Sequence, residues 1–174
     1  MLPDFIQIWM HKAGGRETVK LTWDDLLIQD IADANFASWM QNWSDVVSGR
    51  IAPAFMNKFG VWFLRRPEGA VDMLDIFTGQ VERVASSHEE FVANVNDRPW
   101  QEIYLLSKQV LALHEVGKIP GTGECYAIAP HPALGGPNPL AGDPLELRLV
   151  MTMQIGAWQS ICGQVLRGNS PGEQ

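Results

Sequence analysis

At 174 residues, 46% of them hydrophobic and 19% charged, the chain has the make-up of one globular domain and is long enough to bury a substantial core. Its net charge of −7, from 20 acidic against 13 basic residues, argues against a nucleic-acid partner, because holding phosphates requires clustered Lys and Arg. No segment approaches the roughly 18 uninterrupted apolar residues of a membrane helix, so no membrane partner is expected.

The opening "MLPDFIQIWMHKAGG" has no positively charged start and carries Asp4 inside its short apolar run, which does not fit a secretory signal. Cys125 and Cys162 are the only cysteines, without a C-x-x-C pair or the density of a disulfide scaffold, and a cytoplasmic location follows as the expectation.

Thr22, with Asp25 three residues on, resembles a capping box that starts a helix. Continued with a break near Asn35, that helix places Ile28, Ala32, Phe36, Trp39, Trp43 and Val46 on one apolar stripe. Residues 21–49 hold five aspartates (Asp24, Asp25, Asp30, Asp33, Asp45) and no Lys or Arg. The side opposite the stripe would carry Asp30, Gln41 and Asp45 toward water. A charge run of this kind is either a solvated face or a surface for a basic partner.

In residues 60–84 three short runs of Val, Phe, Ile and Leu are separated by turn signals at Pro67-Glu68-Gly69 and Thr78-Gly79. The connections are too short for parallel crossovers, so the spacing predicts a three-stranded antiparallel meander. Ser86 or Ser87, followed three residues later by Glu89 or Glu90, predicts a short helix over 86–96. Ile103, Leu106, Val110 and Leu113 then predict one long helix ending at Gly117. A strand over 125–129, a loop with five prolines between Pro130 and Pro144, and a final helix over 151–166 complete the chain. That helix aligns Met151, Ile155, Trp158, Cys162 and Val165. The class is α+β: an antiparallel sheet with helices on one side, in a single domain over 1–167. Within it, 1–57 form a helical N-terminal extension, and 168–174 are a flexible tail.

Catalytic and metal chemistry find little support. Cys125 and His131 are six residues apart on an extended segment and meet only if the loop folds back. Cys162 lies on an apolar stripe, where a thiol acts as a small hydrophobe. His114 falls among Ile103, Val110 and Leu111 and reads as a core histidine. No H-E-x-x-H, C-x-x-C or G-x-S-x-G occurs, and Gly121 to Glu124 precede a strand rather than link a strand to a helix, unlike phosphate loops. No cofactor and no metal are expected. Gly135 and Gly136 read as suppliers of positive backbone dihedrals in a tight loop.

Four motifs occur in a distinctive order. A Phe-Gly strand start (Phe59, Gly60) is followed by "DIFTG" at Asp75 to Gly79, "SHEEF" at Ser87 to Phe91, and a "CY…P…LGG" segment through Cys125, Tyr126, Pro130, Leu134, Gly135 and Gly136. Over 58–166 this order resembles a bacterial family of otherwise unassigned domains. That family forms the C-terminal part of type VI secretion immunity proteins, which neutralise a DNase toxin, often behind a GAD-like N-terminal region. The resemblance implies a bacterial protein without catalytic residues whose motif positions serve turns and packing. Only 57 residues precede the matched region, fewer than a full GAD-like region needs.

The function expected is therefore a non-catalytic protein-binding module, an immunity protein whose acidic face (Asp30, Asp33, Asp45) meets a basic toxin. The alternative is a small-ligand or regulatory sensor with a pocket between the sheet and the 130–144 loop. A hydrolase using Asp24 with Asp25, or Glu89 with Glu90, is disfavoured because adjacent helical residues point about 100° apart.

Overall fold

The meander read from residues 60–84 forms three adjacent strands at one side of the five-stranded sheet. In the computed structural model, which describes residues 19–168, β3 (Trp62–Arg65), β4 (Val71–Asp75) and β5 (Gln80–Ala85) pair antiparallel in sequence order. Two further strands extend this sheet on the other side: β2 (Ala52–Asn57) pairs with β3, and β1 (Leu27–Ile28) pairs with β2. The stretch expected to be a helical extension thus supplies two of five strands, correcting that expectation within the described residues. Pro53 made β2 hard to foresee. Its missing N–H is tolerated because β1 covers only Met56 and Asn57, leaving Pro53 at an open edge. At the β2–β3 turn the Asn57 side-chain oxygen accepts the N–H groups of Phe59 (2.9 Å) and Val61 (3.1 Å), and Gly60 takes φ +87°.

The predicted helix over 22–46 is broken well before Asn35. Trp23–Leu26 (α1) ends where Leu27 and Ile28 turn extended to pair with β2, and helix resumes only at Asp33–Met40 (α2), followed by a 3₁₀ turn at Gln41–Trp43. Asp25 does close α1, its carboxylate accepting the Thr22 N–H (2.6 Å) and hydroxyl (2.9 Å). The α+β class and antiparallel sheet are as expected, but helices cover both faces rather than one. Trp62 and Phe63 are neighbours on β3 and so point to opposite faces. Phe63 meets Phe91 of α3 (His88–Val95) and Trp100 of α4 (Arg98–Tyr104), whereas Trp62 meets Phe36 and Trp39 of α2.

The long helix expected over 98–117 is two: α4 and α5 (Ser107–Glu115), divided at Leu106 with φ +54°. Leu105 and Leu106 are both buried at the break, where the left-handed residue lets the chain change direction and start a second helix. At the C-terminal side, β6 (Glu124–Ile128) pairs with β7 (Val150–Gln154), so the last helix, α6 (Ile155–Gly168), begins four residues later than predicted. Met151, placed on its apolar stripe, is exposed on β7. The Tyr126 N–H donates to the Lys58 carbonyl (2.7 Å), tying the hairpin to the β2–β3 turn. Residues 1–18 and the predicted tail beyond 168 lie outside the described residues.

Candidate functional site

The three aspartates assigned to partner binding come from three local structures. Asp30 lies in the connection from β1 to α2, Asp33 is the first residue of α2, and Asp45 follows the 3₁₀ turn at Gln41–Trp43. One helix face does not present them together, because β1 interrupts the helix that would have done so. All three are exposed, and none makes a hydrogen bond or ion pair among the described residues. Asp25 differs: it caps α1 and its other oxygen lies 3.9 Å from His114 Nε2. The acidic stretch therefore contains carboxylates with a structural role and carboxylates without one.

Beneath this acidic surface the apolar stripe is anchored to α6. The indole N–H of Trp43 donates to Gln159 Oε1 (2.7 Å), and that of Trp62 donates to the same oxygen (2.9 Å). Gln159 Nε2 donates to the Gly60 carbonyl (2.8 Å). Phe36 and Trp39 are half-buried against Trp62, while Ala32 and Val46 are exposed. Asp45 borders a shallow groove of about 160 Å³ formed with Asn42, Trp43, Thr78, Gly163 and Arg167. Arg167 donates to the Asn42 carbonyl (2.9 Å), so α6 also braces the segment that carries Asp45.

The thiols and imidazoles are placed for packing. Cys125 and Cys162 are free and buried. Burial pushes the Cys125 thiol up to about 12 and raises that of Cys162 as well, which keeps both protonated and poor nucleophiles. His131 is buried with its ring 6.3 Å from that of Phe77 and 5.7 Å from that of Trp158, and its Nδ1 accepts the Ala133 N–H. It packs where the proline-rich loop begins, between Phe77 and Trp158. Glu90, one of the paired carboxylates considered for hydrolysis, accepts the Ser86 N–H (2.7 Å), while its own N–H donates to Ser87 Oγ (3.2 Å). Among the described residues no group of three His, Cys, Asp or Glu could hold a metal ion, and no helix is long and apolar enough to cross a membrane.

Burial lowers the pKa of His114, with Lys58 pushing the same way against Asp25, and lowers that of His131 against Asp75 and the Ile76 backbone. Both folded-state values lie below the ordinary 6.5, so the unfolded chain binds more protons just below that pH. This contribution to stability is complete above 6.5 and is lost as the pH falls through the folded-state values. Urea unfolding at pH 7.5, 6.5 and 5.5 is expected to show falling stability, with a shallower fall in His114→Gln.

What reasoning from the sequence missed is a basic counterpart to the acidic stretch. Arg50, Arg65 and Arg66 line one cleft with Ile51, Ala52 and Pro67. The signal was present as three arginines within residues 50–66, directly after the arginine-free run, but only the β2–β3 pairing brings Arg65 opposite Ala52. No protein-family model matches this chain, and no curated protein matches it.

Proposed function

We propose that this chain is a non-catalytic protein-binding module, an immunity protein of the cytoplasm that occludes a basic, nucleic-acid-cleaving toxin delivered by type VI secretion. The observation that carries the reading is the state of Asp30, Asp33 and Asp45: exposed, without a hydrogen-bond or ion-pair partner among the described residues, and set on a stretch without Lys or Arg. A toxin that holds phosphate is basic. Exposed carboxylates would speed its encounter and compete for its substrate groove. The burial of both thiols and the packing role of His131 support a reading without turnover.

Replacing Asp30, Asp33 and Asp45 together by Asn is expected to slow association with the cognate toxin and to weaken its dependence on salt, since these charges act over roughly 8–10 Å at physiological ionic strength. Stability should change by no more than about 0.5 kcal/mol per site, as for surface positions without partners. The measurement is stopped-flow association with the toxin encoded beside this gene, together with survival of cells expressing that toxin. Full protection by the triple variant, with an unchanged on-rate, would remove the acidic surface from the mechanism.

A further inference from the structure

We propose that the groove beside Asp45 is the anchor pocket for one arginine side chain of the partner protein, so that Asp45 holds the complex together while Asp30 and Asp33 guide its formation. This inference rests on the reading of the chain as a module for a basic partner, and it names the contact that makes the encounter last. Asp45 sits on the rim of the groove, and Asp30 and Asp33 take no part in lining it. Charges on an open surface act mainly on the rate of encounter, whereas a charged pair closed off from water in a recess governs dissociation.

The groove suits an arginine by size and shape. Its volume is about 160 Å³, well below the roughly 300–1,000 Å³ of small-ligand sites, so it fits one side chain rather than a free metabolite. Val46 is 40% exposed and lines the groove together with Leu166. These two offer an apolar wall along which the methylene stem of an arginine can lie while its head reaches a carboxylate.

The groove also suits a cation by charge. Asp45 makes no hydrogen bond or ion pair among the described residues. Asn42, also in the lining, donates from Nδ2 to the Trp39 carbonyl (3.0 Å), which leaves its Oδ1 as an acceptor. Leu166 and Arg167 belong to the last turn of α6, and the C-terminal end of a helix carries partial negative charge. Arg167 is the cation on the rim, but its Nη1 is turned to the Asn42 carbonyl (2.9 Å) and no ion pair joins it to Asp45. The carboxylate is thus left for an incoming group. Its backbone is already fixed: the N–H groups of Val46 and Val47 donate to the Trp43 carbonyl (3.1 and 2.8 Å), and Trp43 is held by Gln159. Such preorganisation reduces the ordering cost of binding, and a guanidinium fork meets a carboxylate with two parallel N–H donors.

NMR titration of the isotope-labelled full chain with N-acetylarginine amide tests the pocket itself, with N-acetylcitrulline amide as the uncharged counterpart. Saturable shifts of the Val46 and Gly79 amides are expected with the arginine compound. They should be weakened about ten-fold or more in Asp45→Asn, as loss of one charge-assisted contact implies, and unchanged in Asp30→Asn. Both variants should melt at the wild-type temperature, because neither carboxylate has a partner among the described residues. Stopped-flow dissociation from the toxin encoded beside this gene tests the use of the pocket: Asp45→Asn should raise the off-rate about ten-fold or more, and Asp30→Asn should lower the on-rate alone. Binding of the arginine compound by a chain that captures no toxin would support the pocket and sink the toxin reading. Toxin capture with an off-rate unchanged in Asp45→Asn would overturn the pocket and leave the toxin reading in place. No saturable shifts, or equal shifts with the citrulline compound, would overturn the pocket as well.

Discussion

Gln159→Leu is expected to be among the most destabilising single substitutions in the described residues. One side-chain oxygen serves two buried indoles, those of Trp43 and Trp62, and the amide nitrogen satisfies the Gly60 carbonyl. Leucine approximates the volume but leaves both N–H groups without an acceptor. Each orphaned buried donor costs about 1–3 kcal/mol, so the total is about 2–6 kcal/mol, a large share of the roughly 5–15 kcal/mol that stabilises a domain. Urea denaturation followed by tryptophan fluorescence reads this as a lowered midpoint. A loss below about 1 kcal/mol would mean that the indoles find other acceptors.

The second large effect concerns the paired glycines of the proline-rich loop, which serve different ends. Gly135 has φ +92° and open space where a Cβ would sit, so Gly135→Ala meets only the left-handed penalty of roughly 1–2 kcal/mol. Gly136 has no such φ. A Cβ there would overlap the carbonyl oxygen of Pro130 and press on the His131 backbone. These atoms are main chain and cannot swing aside, so Gly136→Ala must displace the loop and lift His131 from between Phe77 and Trp158. Its cost is expected at or above the upper end of the about 1–3 kcal/mol typical of overpacking. Thermal melts of the two variants should rank Gly136→Ala well below Gly135→Ala. The expectation that both glycines supply positive dihedrals holds for Gly135 alone.

The meander was legible because its turn residues and its β-branched and aromatic runs act locally: Pro67 to Gly69 and Thr78-Gly79 close hairpins whatever surrounds them. The Ser87–Glu90 cap was legible for the same reason. Errors arose where tertiary partners overruled local period. Leu27 and Ile28 fit a helical stripe but pair with Asn57 and Met56, and residues 150–154 fit the start of α6 but pair with β6. Leu106 ends a helix that its own neighbours would continue. Of the candidate surface, the excess of Asp and its exposure followed from composition, whereas the division of Asp30, Asp33 and Asp45 among separate elements followed from β1. The arginine cleft was visible in the sequence only as a local cluster of arginines over 50–66, and its assembly needed the register of β2 with β3.

The distance along the chain between α6 and its partners bears on synthesis. Gln159 joins Trp62 across 97 residues and Trp43 across 116, so the sheet face that carries Trp62 is complete only when α6 has left the ribosome. Until then the nascent chain displays these indoles, although the meander and the Phe63 face can already pack on α3 and α4. Closing such distant contacts late slows folding and lengthens exposure to aggregation. A chain released before residue 155 would present its aromatic face as a target for chaperones and proteases.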